Sequence, residues 1–446
     1  MTARRDVFAA IAGIDVKLPG DSTLPPWTLV RRRHQETARV DVAARVGAGI
    51  RELAAGAAEG LTGARIAVAA GSRGIVDIAE VVASTVQALR DCGADPFVVP
   101  AMGSHGSSEA SGQVAVLADL GITEQAVEAP IRATMETVVV GTTASGVPVH
   151  LDRIAAGADG VVVVNRVKPH TDFLGDFGSG LAKMSVIGLG NAAGATVAHA
   201  AGSAQLPRRI REAADVLRKS GILLGGVGII EDSAGSIAHI EVVPAAEIGG
   251  EAERKLLERA HHLHGQLPFD NVDVLVVDAM GKDISGCGMD TNVLGRFWIP
   301  GVDEPTGPHI AAVTVHRLTD ASHGNASGIG MADLIPFRLL DSVDLHATYL
   351  NAMTSGTGGL RRSRMPMALP TDRDVLHAAV RMCGQPDPEQ ARIVRIRSTL
   401  HTDLLLVSEP LLPEVADDST LEVLGEPSPV VFGHTGDLPP WPKEAE

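Results

Sequence analysis

Four consecutive valines, Val161, Val162, Val163 and Val164, constrain the fold of this chain more than any other stretch. An unbroken β-branched run forms a strand buried on both faces, and such a strand needs helices on each side of its sheet. Polarity changes at once beyond it, with Asn165, Arg166, Lys168 and His170. A glycine-rich segment over 175–180 follows, then an amphipathic piece carrying Lys183. A second glycine-rich turn at 188–194 leads into a short helix carrying His199. Two histidines and a lysine therefore leave three successive loops or helix starts behind one buried strand. In an open α/β sheet, ligands bind where loops leave the carboxyl ends of the strands. A plain crossover would set its basic side chains along one solvated stripe, whereas here they sit at strand exits and helix starts.

The first half alternates in the same way. Residues 23–27 (TLPPW) read as an extended, proline-stiffened segment and 40–58 as a helix. Strands over 65–70, 96–101, 137–140 and 160–165 are interleaved with helices over 76–91 and 107–120, and further strands are expected over 222–230 and 237–243. This pattern predicts an α/β fold with mostly parallel sheets and helices on both faces. A helix from Glu251 ends in His261, His262 and His264, and cationic side chains before Gly265 fit a helix end better than a metal site. A length of 446 residues predicts two domains, with the boundary at 266–271 around Pro268. Residues 1–265 would then form an N-terminal catalytic and cofactor domain and 270–425 a C-terminal α/β domain. The active site is expected in the cleft between them. In the second half, strands are expected over 272–278, 309–318 and 391–397 and helices over 342–353 and 372–382. The prolines and charges of 426–446 predict a mobile tail.

Composition removes several classes of function. A formal charge of −16 with no basic cluster argues against nucleic acid and against an anionic membrane surface. Aromatics at 3%, with Tyr349 the single tyrosine, leave little for base stacking. No apolar run approaches the roughly 20 residues of a membrane span, and the start lacks a signal-peptide core. Cys92, Cys287 and Cys383 are far apart, which suits a reduced cytoplasm and excludes a simple CxxC zinc or iron–sulfur site.

KPH at 168–170, a glycine-rich turn, Lys183 placed 13 residues after His170, and His199 placed 16 residues after Lys183 together resemble the lactate racemase family. MGSHG at 102–106 and GSRG at 71–74 extend the likeness, which runs in order through most of the first 265 residues and more loosely beyond. The resemblance implies a racemase or epimerase of a 2-hydroxy acid that uses a nickel-pincer nucleotide, a pyridinium bisthiocarboxylic acid mononucleotide bearing nickel. It implies His105 and His170 as the acid/base pair, Lys183 as the residue holding the nucleotide through a thioamide, and His199 as the nickel ligand. Arg73 falls on the family's arginine that serves the cofactor and substrate anions, although Ala70 replaces the acidic residue that accompanies it. Ser104 and Ser179 are candidate helpers for the nucleotide phosphate, beside backbone amides of a glycine turn or helix start. The partners implied are a hydroxy-acid substrate and the enzymes that make the cofactor.

The chemistry explains why such residues are needed. Inverting a carbon that bears hydroxyl and hydrogen requires loss of the hydrogen either as a proton, hard without a carbanion sink, or as hydride. Hydride loss leaves a planar ketone, and each face then needs its own base for the hydroxyl proton. Histidine suits this because it accepts and donates near neutrality. For His105 the plain alternative is a loop histidine capping the helix that follows. No side chain accepts hydride, so a cofactor is required. The turn after the first strand, AAGSRGI, lacks the G-x-G-x-x-G of a nicotinamide site, and GLGNAAG follows no clear strand.

The second half departs from the family. Asp290 and Asn292 remain, but Leu294 and Gly295 stand where tyrosine and glutamine are expected. Lys282, Arg296, His323 and Asn325 are the other polar candidates, with Lys282, Asp290, Asn292 and Arg296 assigned to substrate alongside Arg73. Asp172 and Asp176 replace more neutral residues near His170, which points to a larger or more hydroxylated substrate such as a sugar acid. Two other classes stay open: a zinc hydrolase or lyase with His105, His170 and His199 around one metal, and a non-catalytic anion-binding protein.

Overall fold

The four valines occupy the middle of the strand Gly160–Arg166, which is paired in parallel with Arg65–Ala70 on one side and Leu223–Glu231 on the other. In this computed structural model residues 22–33, 40–57, 60–71, 75–176, 178–232, 235–263 and 265–442 are described. Asp95–Pro100 continues the sheet in parallel beyond Arg65–Ala70, and Ile237–Pro244 closes the other edge as an antiparallel hairpin with Leu223–Glu231. Both parities of the central strands are buried. Val162 and Val164 join Ile66, Val68 and Val98 against the helices Val42–Ala55 and Ile78–Asp91, while Val161, Val163, Ala67 and Val99 are buried on the opposite face. Each fully buried valine contributes roughly 1.5–3 kcal/mol relative to exposure, so this strand anchors the unit.

Residues 40–263 form one compact unit, and the second is made of 265–442 together with 22–33. The second unit holds an eight-stranded mixed sheet. Met367–Leu369, Leu334–Pro336, His309–Val315, Asn271–Val277 and Ile393–Ile396 run parallel; Leu404–Ser408, Trp27–Arg32 and Leu421–Val423 extend it antiparallel.

Several expectations need correction. The strand Trp27–Arg32 does not belong with the first 265 residues, because its ladder partners are Leu404–Ser408 and Leu421–Val423. The 137–140 strand lies outside the main sheet, forming a separate hairpin with Pro148–Asp152. The expected 107–120 helix is broken at Ser107 and Ser108, both at positive φ, and becomes a short turn followed by Ala110–Asp119. The expected 342–353 helix is two, Phe337–Ser342 and Leu345–Thr354. The tail is packed rather than mobile up to residue 442. Trp441 Nε1 donates to Asp278 Oδ2 at 2.7 Å and its ring lies 5.2 Å from the guanidinium carbons of both Arg395 and Arg397. No helix among the described residues is long and apolar enough to cross a membrane.

Candidate active site

From Arg65–Ala70 the chain first pairs outward with Asp95–Pro100 and later returns to lay Gly160–Arg166 on the other side. The carboxyl ends of Arg65–Ala70 and Gly160–Arg166 thus flank a topological switch point, the place where an open α/β sheet leaves a crevice for ligands. Three loops gather there. The turn at Ala101–Gly106 is tied to the second glycine-rich turn by Gly103 N–H donating to Gly188 O at 3.0 Å. A Cβ on Gly188 would lie 2.7 Å from Ala101 O and 2.2 Å from Met184 Sδ, so glycine is required for this approach. A Cβ on Gly71 would meet Asn165 Oδ1 at 2.6 Å and Met184 Cε at 3.6 Å, which sets the start of the GSRG turn against the same segment. Arg73 itself lies outside the described residues. Further along, Val76 N–H donates to Glu231 Oε1 at 2.6 Å while Glu231 pairs with Arg166.

The KPH loop is closed by paired hydrogen bonds between Lys168 and Ser179, both 2.9 Å. His170 is buried within it and stacks on Phe173 with centroids 4.0 Å apart. Its Nδ1 accepts the Asp172 N–H at 3.0 Å and its Nε2 meets Lys183 Nζ at 2.8 Å; Lys183 Nζ also reaches Ser179 Oγ at 3.3 Å. Burial first, and then the charge of Lys183, hold the His170 pKa well below 6.5, with His199 and Lys168 adding to the effect and Asp172 opposing it. The 2.8 Å contact thus joins the two basic side chains directly, with the imidazole kept uncharged.

Lys183 closes a single α-helical turn, Leu181–Lys183, and the backbone then widens into a π-helical stretch, Met184–Gly188. Such bulges recur at functional sites because they re-aim side chains. His199 ends the helix Asn191–His199 and is exposed. Its Nδ1–H donates to Ala195 O at 2.7 Å, which leaves the Nε2 lone pair outward, the arrangement expected of a metal-ligating histidine. His105 is exposed at the end of the Ala101–Gly106 turn and makes no side-chain capping bond to the short helix after it. Ser104 is exposed beside it. The capping alternative for His105 is thus not what the geometry gives.

Lys282, Asp290, Asn292 and Arg296 belong to the second unit. Asp290 caps the short helix Thr291–Leu294, with Oδ1 accepting from Asn292 N–H and Asn292 Nδ2 at 3.0 Å each. Lys282 Nζ donates to Gly286 O. Arg296 is buried and bonded to Asp333 Oδ2 at 3.0 Å, Met331 O and Ile310 O, a structural clamp rather than the substrate ligand expected of it. The three-histidine zinc reading also fails: both ring nitrogens of His170 are engaged. Among the described residues no group of three or more His, Cys, Asp or Glu could hold a metal ion.

Sequence reading missed the supports. Buried Gln113 donates Nε2–H to Gly103 O at 2.9 Å and steadies the His105 turn. Asp152 and Asn191, both buried and 2.9 Å apart, anchor the helix that ends in His199. Burial pushes the Asp152 carboxyl up, against the amides of Ala155 and Ile154 and the Asn191 side chain. A lone acidic or amide residue carries no signal of this kind in a sequence; only its burial reveals it.

Residues 35–209 match the family profile described as Lactate racemase N-terminal domain. No curated protein matches the chain significantly. Among solved structures, a Thermotoga maritima protein aligns with a TM-score of 0.46 at 14% identity, over 61% of this chain and 70% of that one. The lactate racemase apoprotein from Thermoanaerobacterium thermosaccharolyticum aligns with a TM-score of 0.46 at 10% identity, over 81% of this chain and 92% of that one. His105, His170, Lys183 and His199 all fall within the matched 35–209 segment, which is similar to the lactate racemase N-terminal domain.

Proposed function

We propose that this chain is a racemase or epimerase of a 2-hydroxy acid, with a sugar acid as the favoured substrate class, and that it works with a nickel-pincer nucleotide. The observation that carries the proposal is the contact of His170 Nε2 with Lys183 Nζ at 2.8 Å beside a switch-point crevice. The residues present fit the cofactor. His199 keeps an Nε2 lone pair for nickel, and the Lys183 amine, in contact with His170, is the group that would attack a thiocarboxylate once deprotonated. When bound, the nucleotide supplies the hydride acceptor that no side chain offers.

The chain's own residues then handle the proton and the anions. His170, kept neutral by burial, takes the hydroxyl proton on one face. His105, on the turn after Asp95–Pro100, two strands away across Arg65–Ala70, returns a proton on the other face. Arg73 serves the anionic groups, while Ser104 and Ser179 assist the nucleotide phosphate. Lys282, Asp290 and Asn292 remain the candidates for the polar end of the substrate. Such an enzyme depends on cofactor-synthesis enzymes and acts in the cytoplasm. Protein produced together with those enzymes should carry nickel and the cofactor mass and interconvert the enantiomers of at least one 2-hydroxy acid. A fully loaded protein that inverts none of a panel of simple and sugar-derived hydroxy acids would overturn the reading.

A further inference from the structure

Glu253 stands in the first turn of the helix Glu251–Leu263, yet it is only 1% exposed and serves a different helix. Both carboxylate oxygens accept the Ala182 N–H at 3.1 Å, and Oε2 accepts the Gly249 N–H at 2.7 Å. The amide of Leu181 also bonds to it. These are the open amides at the start of the turn that carries Lys183, and an unpaired buried amide is costly. The residue that would ordinarily cap them is Gly180, which has no side chain, and a Cβ there would lie 2.4 Å from Glu253 Oε1. The turn is three residues long before the backbone widens, too short to hold its own register.

We propose that Glu253 is the positioning residue for Lys183, fixing the Leu181 and Ala182 amides so that Nζ arrives at His170 Nε2. The inference rests on the reading of Lys183 as the working amine of this site. Glu253 touches no reacting atom; it acts through two backbone amides and one residue of chain.

The test uses the full chain without cofactor, labelled with trace acetic anhydride and mapped by mass spectrometry, with exposed Lys219 as the internal standard. In the parent the Lys183 to Lys219 labelling ratio at neutral pH is high, because the fixed turn holds Nζ in its contact with His170 Nε2. Glu253→Gln places an amide NH₂ against backbone N–H groups, and the ratio falls several-fold. Val86→Ala, a cavity on the other face of the sheet, lowers stability while leaving the ratio at the parent value. A folded Glu253→Gln protein with the parent ratio overturns the proposal. Should that variant not fold, Gly180→Ala forces the carboxylate aside and gives the same fall, and a parent ratio there overturns it equally. Because no cofactor or substrate is present, failure of the racemase reading, seen as absent interconversion by loaded enzyme, is read separately.

Discussion

His170 Nε2 and Lys183 Nζ stand 2.8 Å apart, and the Asp172 N–H donates to the other ring nitrogen of His170 at 3.0 Å. Two cations do not share so short a contact in a buried site, so the pair carries at most one charge.

If His105 and His170 serve opposite faces, His105→Ala and His170→Ala should each stop interconversion in both directions. General acid–base groups contribute about 10²- to 10⁴-fold, so the two defects should be large and similar. Each single variant should still let one enantiomer reach the ketone, seen as ketone formed in a single turnover. A folded, loaded His105→Ala protein that inverts substrate at the parent rate contradicts the two-base account.

The pH dependence has a definite sign. Burial, then Lys183, hold His170 well below 6.5, so the acid limb of kcat/KM should fall below that value, and a limb at or above 6.5 contradicts the assignment. For stability, the unfolded histidine binds a proton near 6.5 while the folded one does so only at lower pH. The group is therefore neutral in its effect above 6.5 and destabilises the fold as pH drops from there toward the folded value. Urea midpoints across that window should show the decline, and His170→Ala should flatten it.

Gly188→Ala tests the approach of the His105 turn. The new Cβ would meet Ala101 O at 2.7 Å, a backbone atom that cannot swing away. Overpacking of this kind costs about 1–3 kcal/mol, and activity should fall with stability. Gly425→Ala, with nothing within 4 Å, should stay within about 0.5 kcal/mol of the parent. Equal urea midpoints for the two variants contradict the packing.

How far the sequence reached depended on the range of the interaction. The central strand, the KPH and MGSHG turns and the Lys183 and His199 placements are local patterns, where valine runs and glycine turns speak for themselves. The ladder between Trp27–Arg32 and Leu404–Ser408 joins residues more than three hundred positions apart, and no local periodicity announces such a partner. Gly180 was visible only as a member of a glycine-rich turn. That its missing side chain makes room for Glu253 follows from packing alone. The tail's prolines suggested mobility, whereas Trp441 and Leu438 find partners in Asp278 and Asp372.

In the second unit, fully buried Asp372 accepts from His316 Nδ1 at 2.8 Å and from Leu438 N–H at 2.9 Å and pairs with Arg338. Burial acts to raise its pKa, but the His316 hydrogen bond and charge, the Leu438 amide and Arg338 outweigh it and bring it from 3.8 to about 2. A depressed carboxylate contributes stability that is present above 3.8 and is lost as pH falls through about 2. Asp372→Ala should cost about 3–5 kcal/mol at neutral pH, because it leaves buried partners unpaired. Acid titration of the unfolding midpoint, parent against variant, checks both the size and the sign.

The central claim is inversion by hydride transfer within this chain, and a deuterium label tests it most directly. Protein loaded with the cofactor is given a single enantiomer of a 2-hydroxy acid carrying deuterium at the α-carbon, and the opposite enantiomer is isolated and weighed by mass spectrometry. Hydride that stays within the site predicts an inverted product that keeps most of its deuterium. Inverted product in which solvent hydrogen has replaced the label contradicts that account and points to proton abstraction instead.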